Sequence, residues 1–151
     1  MWSQDVDLAQ SLENTLVMFN SRLKNVTVEL NFDPDLPPVS AYGSELNQVW
    51  TNLIDNAADA MKGKGELRIR TMREGEDVLV EFVDNGPGIP KEIQTKIFDP
   101  FFTTKPMGEG TGLGLDTVYR IVRKHHGNIS VVSRPGNTCF RVRLPIQNKR
   151  I

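Results

Sequence analysis

The sequence predicts a single α/β domain of 151 residues, because five strand patterns and three long helical patterns follow one another along the chain. A helix separates the first two strands, which disfavours a purely antiparallel meander. Lysine and arginine number 18 against 19 aspartates and glutamates, so net charge gives no general attraction to nucleic acid or acidic lipid. The single cysteine excludes an internal disulfide, and no apolar run approaches the length of a membrane span. We therefore expect a cytoplasmic domain without nucleic-acid or membrane contact.

The first helix is predicted by an amphipathic stripe, and Asp7 with Gln10 three positions later resembles the capping box that begins a helix. The stripe has apolar residues at spacings of four, four, three and four: Leu8, Leu12, Leu16, Phe19 and Leu23. Apolar and polar residues then alternate over residues 26–32, which predicts a strand with one buried face. Residues 33–38, with the sequence DPDLPP, form a stiff connector that can continue neither element.

A second helix, over residues 44–61, is apolar around most of its circumference and is therefore predicted to be largely buried. Four polar residues nevertheless form one stripe along it: Gln48, Asn52, Asn56 and Asp59. A buried polar group without a partner costs about 1–3 kcal/mol. The stripe therefore either faces water or lines a wet cavity that holds a ligand.

Two further strands follow, joined by a polar hairpin loop over residues 73–77. The second of them begins at Val78 and ends in the sequence DNGPGI, which starts at Asp84. A carboxylate at the end of a buried strand, beside glycines that admit a planar ligand, can accept a hydrogen bond from an exocyclic amine. The alternative is that Asp84 caps its own turn. Pro90 is predicted to open a short helix over residues 91–98.

Residues 98–115, with the sequence FDPFFTTKPMGEGTGLGL, place alternating glycines directly before a third predicted helix. Backbone amides in such a segment can approach an anion at the positive end of the helix, although a mobile surface loop is the alternative. A dinucleotide fingerprint starting at Gly108 requires glycine at position 113, which is Leu113, so it is excluded. A P-loop starting at Gly110 requires glycine at position 115, which is Leu115, so it is excluded too. A phosphate site here is therefore of another kind.

The third helix is predicted to end near Gly127, with His125 and His126 in its last turn. Adjacent histidines point in different directions, so we predict that they stabilise the helix end rather than bind a metal. Two final strands flank a turn at residues 134–137, with the sequence RPGN. Cys139 has no base or metal ligand beside it in this pattern and is predicted to be a packing residue.

Four stretches, in this order, resemble the motifs of sensor histidine kinases. NLIDNA at residues 52–57 resembles the N box, DNGPG at 84–88 the first glycine box, FDPFFTTK at 98–105 the F box, and GTGLGL at 110–115 the second glycine box. Together they are similar to the catalytic, ATP-binding domain, within the superfamily of gyrase B, MutL and heat-shock chaperone ATPases. The F box looks most like that of nitrogen-regulation and oxygen-sensing kinases. The resemblance implies an α/β sandwich, with a five-stranded mixed sheet covered on one face by three main helices.

The resemblance also implies a site for ATP and Mg²⁺. Asn56 would ligate Mg²⁺ through its amide oxygen, and Asn52 would act in catalysis by contacting phosphate or a metal-bound water. Asp84 would accept the adenine amine. Lys105 is the second catalytic candidate, which either reaches the γ-phosphate or stays solvated. The other implied nucleotide contacts are Gly86, Gly88, Ile89, Thr104, Gly110, Thr111, Gly112, Leu113, Gly114, Leu115 and Thr138, with residues 103–110 as the ATP lid.

The sequence departs from the family pattern at several positions. Pro135 and Asn137 stand where the family usually has glycine ahead of Thr138, which leaves the shape of that loop open. Asp59 stands where many relatives carry lysine. Hydrolysing relatives use a glutamate at the position of Asn52 to activate water. Because asparagine cannot accept that proton, the sequence favours transfer to a protein side chain over hydrolysis.

The implied function is donation of the γ-phosphoryl group of ATP to a histidine in two-component signalling. Neither His125 nor His126 lies in a phosphoacceptor motif, so we expect residues 1–151 to be one catalytic domain that does not phosphorylate itself. The expected partners are a dimerisation domain carrying the acceptor histidine, in cis or in trans, and a response regulator downstream. The isolated domain is expected to be a monomer, and the full-length protein to be cytoplasmic or membrane-anchored. The alternatives are a non-catalytic ATP-dependent switch and a serine kinase of the anti-sigma type.

Overall fold

The computed structural model describes residues 3–100, 102 and 114–147. A five-stranded sheet carries three α-helices on one face, which confirms the predicted α/β sandwich. The elements in chain order are β1 (Gln4–Val6), α1 (Leu8–Val17), β2 (Asn25–Asn31), β3 (Val39–Ala41), α2 (Gly43–Ala60), β4 (Lys64–Glu74), β5 (Asp77–Asp84), α3 (Gly114–Lys124), β6 (Asn128–Arg134) and β7 (Asn137–Pro145).

The large sheet has the strand order β2-β4-β5-β7-β6. Strand β2 runs parallel to β4, and the other neighbouring pairs are antiparallel, so the sheet is mixed as expected. The register places four residues in one row across β4, β5, β7 and β6: Leu67, Asp84, Thr138 and Ser133. The sheet itself therefore aligns the candidate Asp84 with side chains from the last two strands.

The hydrophobic core lies between this sheet and the helices. Trp50 of α2 is completely buried, and its ring lies 5.7 Å from that of Phe82 on β5. The Trp50 indole N–H donates to Ser11 Oγ of α1 at 3.0 Å, and Ser11 Oγ donates to Asn47 Oδ1 of α2 at 2.7 Å. The polar end of the indole is thus satisfied inside the core, and α2 is held against both α1 and the sheet.

A second, two-stranded sheet was not predicted. Strands β1 and β3 pair antiparallel, with Val6 opposite Val39. The Ser40 amide donates to the carbonyl oxygen of Ile146 at 3.0 Å, which joins this small sheet to the segment after β7. Three-residue strands carry too little alternation to be recognised from sequence.

Two helix predictions were too long. Helix α1 begins as expected, with Asp7 Oδ1 accepting from the Gln10 amide at 3.2 Å, but it ends at Val17 rather than near Leu23. Phe19 and Leu23 are buried all the same, so their periodicity marked core contacts made by turns. The predicted helix over residues 91–98 is only a 3₁₀ turn, Lys91–Ile93. It is followed by further backbone hydrogen bonds between residues three positions apart. Such a short segment cannot offset the cost of starting an α-helix.

The opposite face of the sheet carries a buried carboxylate. Glu81, in the middle of β5, is 1% exposed and pairs with Arg70 of β4 and Arg141 of β7. The Arg141 Nε–H donates to Glu81 Oε2 at 2.7 Å. Cys139, two residues before Arg141, is half-buried, and burial followed by the charge of Glu81 raises the pKa of its thiol. These surroundings fit a packing role for the cysteine.

Replacing Glu81 with alanine should lower the free energy of unfolding by about 1–3 kcal/mol, because two guanidinium groups lose the carboxylate between them. The loss stays below that of a fully buried pair, since both arginines are half-exposed and can turn to water. Urea unfolding of the two proteins measures it. Glu29→Ala, which removes the exposed partner of Arg68, is the matched control. Equal losses in the two variants would contradict the role given to Glu81.

Candidate functional site

The candidate site begins at the end of β5, where Asp84 is 3% exposed. Its Oδ1 accepts the Gly86 amide at 2.9 Å, so the carboxylate does cap its own turn. Burial raises the pKa of the Asp84 carboxyl, and the hydrogen bond from Gly86 opposes that shift. A buried carboxylate with a raised pKa at a strand end is costly for the fold and is typical of a binding site.

The raised pKa of Asp84 makes a prediction about stability. A carboxyl group whose pKa is higher in the folded state than in the unfolded state costs the fold no stability below the unfolded-state pKa. The cost develops as pH rises and is complete above the folded-state pKa. Asp84→Asn keeps an oxygen for the Gly86 amide and removes the buried charge. We expect this variant to be more stable than wild type at neutral pH and to lose that advantage below the ordinary aspartate pKa. Thermal unfolding across pH measures the difference, and an advantage independent of pH would contradict the assignment.

The glycine loop after Asp84 is packed between two other parts of the fold. A Cβ on Gly86 would lie 3.0 Å from Asp84 Oδ1 and 3.1 Å from the carbonyl oxygen of Ala60, at the end of α2. A Cβ on Gly88, whose φ is +92°, would lie 2.7 Å from the carbonyl oxygen of Arg134. These contacts give Gly86 and Gly88 a packing reason in addition to the predicted approach of a ligand ring.

The turn between β6 and β7 contacts the same loop. Gly136 has a φ of +82°, and its amide donates to the carbonyl oxygen of Gly86 at 3.0 Å. Pro135 followed by Gly136 suits a type II turn, in which the second central residue has positive φ. The one glycine at 136 thus supplies the turn geometry, although Pro135 and Asn137 replace the glycines of the family pattern.

Helix α2 carries the two candidate asparagines, both of which are half-buried. Asn52 Nδ2 donates to the carbonyl oxygen of Gly114, the first residue of α3, at 3.1 Å. Among the residues that the structure describes, no partner holds the Asn56 carboxamide. Among the described residues, a Cβ on Gly114 would meet no atom within 4 Å.

The two ends of the site are fixed by α2 itself. Ala60 contacts the loop after Asp84, and Asn52 contacts the start of α3. Eight residues of α-helix separate these two contacts, or about 12 Å at the usual rise. This separation matches an elongated ligand with a ring at one end and an anionic group at the other. Asn56, the next residue of the predicted polar stripe after Asn52, lies on α2 between these two contacts.

Asp59, where many relatives carry lysine, has another role. Arg22, in the turn before β2, donates to Asp59 Oδ1 at 2.6 Å and also pairs with Asp55 one turn earlier. The arginine thus bridges two carboxylates on one side of α2. This contact braces the helix that carries Asn56.

His125 lies in the last turn before Gly127, and its contacts extend beyond the end of α3. His125 is 1% exposed, and its Nε2 accepts the Tyr42 amide at 3.1 Å, while Nδ1 lies 2.9 Å from the carbonyl oxygen of Ile121. Because Nε2 accepts, Nδ1 is the nitrogen that donates. Lys124 pairs with Glu45 at 2.8 Å. The end of α3 is thereby fastened to the start of α2. Within the described residues, no cluster of three or more histidine, cysteine, aspartate or glutamate side chains could hold a metal.

The F box is described only in part. Phe98 is half-buried, with its ring 6.0 Å from Tyr119 of α3 and 6.3 Å from Phe140 of β7. Leu115 packs against the core as part of α3. The predictions for Thr104, Lys105, Gly110, Thr111, Gly112 and Leu113, and for the lid at 103–110, fall outside the described residues.

Sequence reasoning named Thr138 near the nucleotide but missed its hydroxyl partner, Ser133. Thr138 is 3% exposed, and its Oγ1 lies 2.6 Å from Ser133 Oγ of β6. The Ile89 amide donates to Ser133 Oγ at 2.8 Å. A signal was available, since alternation places Ser133 on the buried face of β6 with Ile129 and Val131.

Comparison with known proteins identifies the class. Residues 42–148 match the family described as histidine kinase-, DNA gyrase B-, and HSP90-like ATPase, and the chain belongs to this family. Over 134 residues it is 41% identical to the sensory histidine kinase/phosphatase NtrB of Rhodobacter capsulatus, which covers 80% of the chain and 37% of NtrB. The chain therefore spans little more than a third of that relative.

Solved structures agree on the domain. The nucleotide-free catalytic domain of histidine kinase ThkA matches with a TM-score of 0.90 at 30% identity, over 100% of both chains. Histidine kinase ThkA in complex with the response regulator protein TrrA matches with a TM-score of 0.84 at 27% identity, over 99% of this chain and 43% of that one. The fold is thus that of a histidine kinase catalytic domain. None of the helices in the described ranges has the length and apolar character that a membrane span requires.

Proposed function

We propose that this chain binds Mg²⁺ and ATP and donates the γ-phosphoryl group to a histidine on a dimerisation domain, either in the same protein or in another. The observation that carries the proposal is that two features typical of a nucleotide site lie near opposite ends of the same stretch of α2. Buried Asp84 marks one end, and the Asn52 contact with Gly114 marks the other. Membership of the ATPase family supports a nucleotide as the ligand that joins them.

Asp84 is the group that selects the base. One carboxylate oxygen accepts from Gly86, and a second oxygen is left to accept the exocyclic amine of adenine. Guanine presents a carbonyl oxygen at that position, which repels a carboxylate. Ile89 supplies a half-buried apolar wall. The site should therefore prefer ATP to GTP.

The other end suits phosphate and a hard cation. The start of α3 places a positive helix end beside Asn52, which favours an anion. Because Asn52 Nδ2 is engaged with Gly114, its Oδ1 is left to accept a hydrogen bond from a metal-bound water. Asn56 offers a neutral amide oxygen, which fits Mg²⁺ as an ion held mainly by nucleotide phosphates and water. When bound, Mg²⁺-ATP supplies the transferable group and neutralises charge during its transfer.

Asn52 also favours transfer over hydrolysis. A carboxamide cannot take a proton from water, so the site lacks a general base at this position. An acceptor brought from outside, such as a histidine imidazole, is a nucleophile in its own right. We propose that residues 1–151 act as a single monomeric catalytic domain of a cytoplasmic or membrane-anchored sensor, with a response regulator as the next acceptor.

The test joins this chain to the dimerisation segment of the Rhodobacter capsulatus relative, in place of that protein's own catalytic domain. After incubation with γ-labelled ATP and Mg²⁺, one half of the sample is treated with acid and the other half with alkali, and the label that remains on the protein is measured. We expect label that is lost in acid and kept in alkali, as phosphohistidine requires. Acid-stable label would indicate a serine kinase. ATP binding without any label, where the unaltered relative is labelled, would indicate an ATP-dependent switch.

A further inference from the structure

A hydroxyl pair continues the row that begins at Asp84. Thr138 lies directly opposite Asp84 on β7, and Ser133 lies directly opposite Thr138 on β6. Side chains paired in this way face the same side of the sheet, with Cβ atoms about 4.5–5.5 Å apart. Thr138 is 3% exposed and Ser133 is half-buried. One hydroxyl group therefore lies beside the carboxylate to which the base selection is assigned, and a second lies one strand further on.

The hydrogen bonds around Ser133 favour one direction for its hydroxyl proton. Ser133 Oγ accepts the Ile89 amide at 2.8 Å and lies 2.6 Å from Thr138 Oγ1. A hydroxyl that accepts an N–H bond becomes a stronger donor, because neighbouring hydrogen bonds polarise one another. Either hydroxyl can donate in this contact, and the polarisation favours Ser133 as the donor. This arrangement leaves the proton of Thr138 free to be donated on the side of Asp84.

The same serine holds the apolar wall of the site. Ile89 is anchored at its amide by Ser133 Oγ and at its carbonyl by Gln94 Nε2, at 2.8 Å. Gln94 Nε2 also lies 3.3 Å from the carbonyl oxygen of Ser133. Both backbone polar groups of Ile89 are thus linked to β6, the amide directly and the carbonyl through Gln94. A change at Ser133 would affect both Thr138 and Ile89.

We propose that Ser133 is a positioning residue for base recognition, which orients the Thr138 hydroxyl toward the nucleobase edge bound at Asp84 and holds Ile89 as the wall beside it. The inference rests on the proposed function, since it needs adenine at Asp84. Ser133 touches the base only through these two residues. Its effect should therefore appear in the choice between bases more than in phosphate binding.

Calorimetry of ATP and GTP on Ser133→Ala tests this assignment. Loss of one oriented hydrogen bond should weaken ATP binding about fivefold, with a smaller change for GTP, so that the ATP preference falls. Ser133→Thr keeps the hydroxyl and should restore both values. Ser130→Ala, on the exposed face of the same strand, is the matched control and should bind like wild type. An unchanged ATP preference in Ser133→Ala would overturn the inference.

A double-mutant cycle separates positioning from general loosening of the fold. If Ser133 acts through Thr138, adding Ser133→Ala to Thr138→Val should weaken ATP binding by clearly less than fivefold. A full fivefold loss in the Thr138→Val background would contradict an action through that residue. The preference for ATP over GTP is also measured on Asp84→Asn, which tests whether the base is bound at Asp84 at all. ATP preference that depends on Asp84 but not on Ser133 would reject this inference alone, whereas preference independent of both would reject the proposed function.

Discussion

Replacing Asp84 with alanine should weaken ATP binding by roughly 5- to 150-fold, which corresponds to the loss of about 1–3 kcal/mol from a hydrogen bond to a buried charged group. The carboxylate is 3% exposed, so water cannot easily take its place in the site. GTP binding should change less, because the repulsion between the carboxylate and the guanine carbonyl disappears at the same time. Calorimetric titration of both nucleotides measures the two changes.

Asp77→Ala is a suitable control for this experiment, since Asp77 begins the same strand and pairs with Arg143 at the far end of the sheet. We expect its affinity for ATP to equal that of wild type. Equal ATP affinity in Asp84→Ala and wild type would remove Asp84 from the site. A parallel loss of ATP and GTP affinity would keep Asp84 in the site but end its role in selecting the base.

Replacing Gly88 with alanine should have the largest effect on stability and binding together. The residue has a φ of +92°, which costs an L-amino acid about 1–2 kcal/mol, and the new Cβ would lie 2.7 Å from the Arg134 carbonyl oxygen. Relief of that contact requires movement of the loop or of the β6–β7 turn. We expect a loss of roughly 2–4 kcal/mol in the free energy of unfolding, with weaker ATP binding because Ile89 moves too.

Gly75→Ala separates backbone strain from the close contact. Gly75 has a φ of +62°, but a Cβ there would meet no atom within 4 Å, and its hairpin joins β4 to β5 far from Asp84 along both strands. The control should show only the strain and should bind ATP normally. If urea unfolding gave the same loss in the free energy of unfolding for Gly88→Ala and Gly75→Ala, the close contact between residue 88 and Arg134 would make no contribution to stability.

The fold could be predicted largely from periodicity, because its long elements are amphipathic or buried. The helix over residues 44–61 and the strand that ends at Asp84 lie within one residue of their predicted bounds. The strands Gln4–Val6 and Val39–Ala41 were missed because three residues cannot show an alternation. The first helix was overestimated, because Phe19 and Leu23 reach the core from turns.

The site was predicted less completely, for a physical reason. Motif resemblance names residues that would face a ligand, such as Asp84 and Asn52, but not the groups behind them. Ser133 belongs to that second group, since it meets Thr138 only through the register of two strands. His125 is another case, because its partner at Tyr42 lies 83 residues away in the chain. Such pairings depend on the assembled sheet and helices, so no local pattern reveals them.

The measurement that tests the central claim most directly is calorimetric titration of ATP and GTP, with and without Mg²⁺, on wild type and Asn56→Ala. The account predicts ATP-selective binding that Mg²⁺ strengthens in wild type, and loss of that Mg²⁺ effect in Asn56→Ala, with a weakening of roughly tenfold. Gln48→Ala, at an exposed position on the same helix, should bind like wild type. Absence of nucleotide binding in wild type, or an undiminished Mg²⁺ effect in Asn56→Ala, would contradict the account.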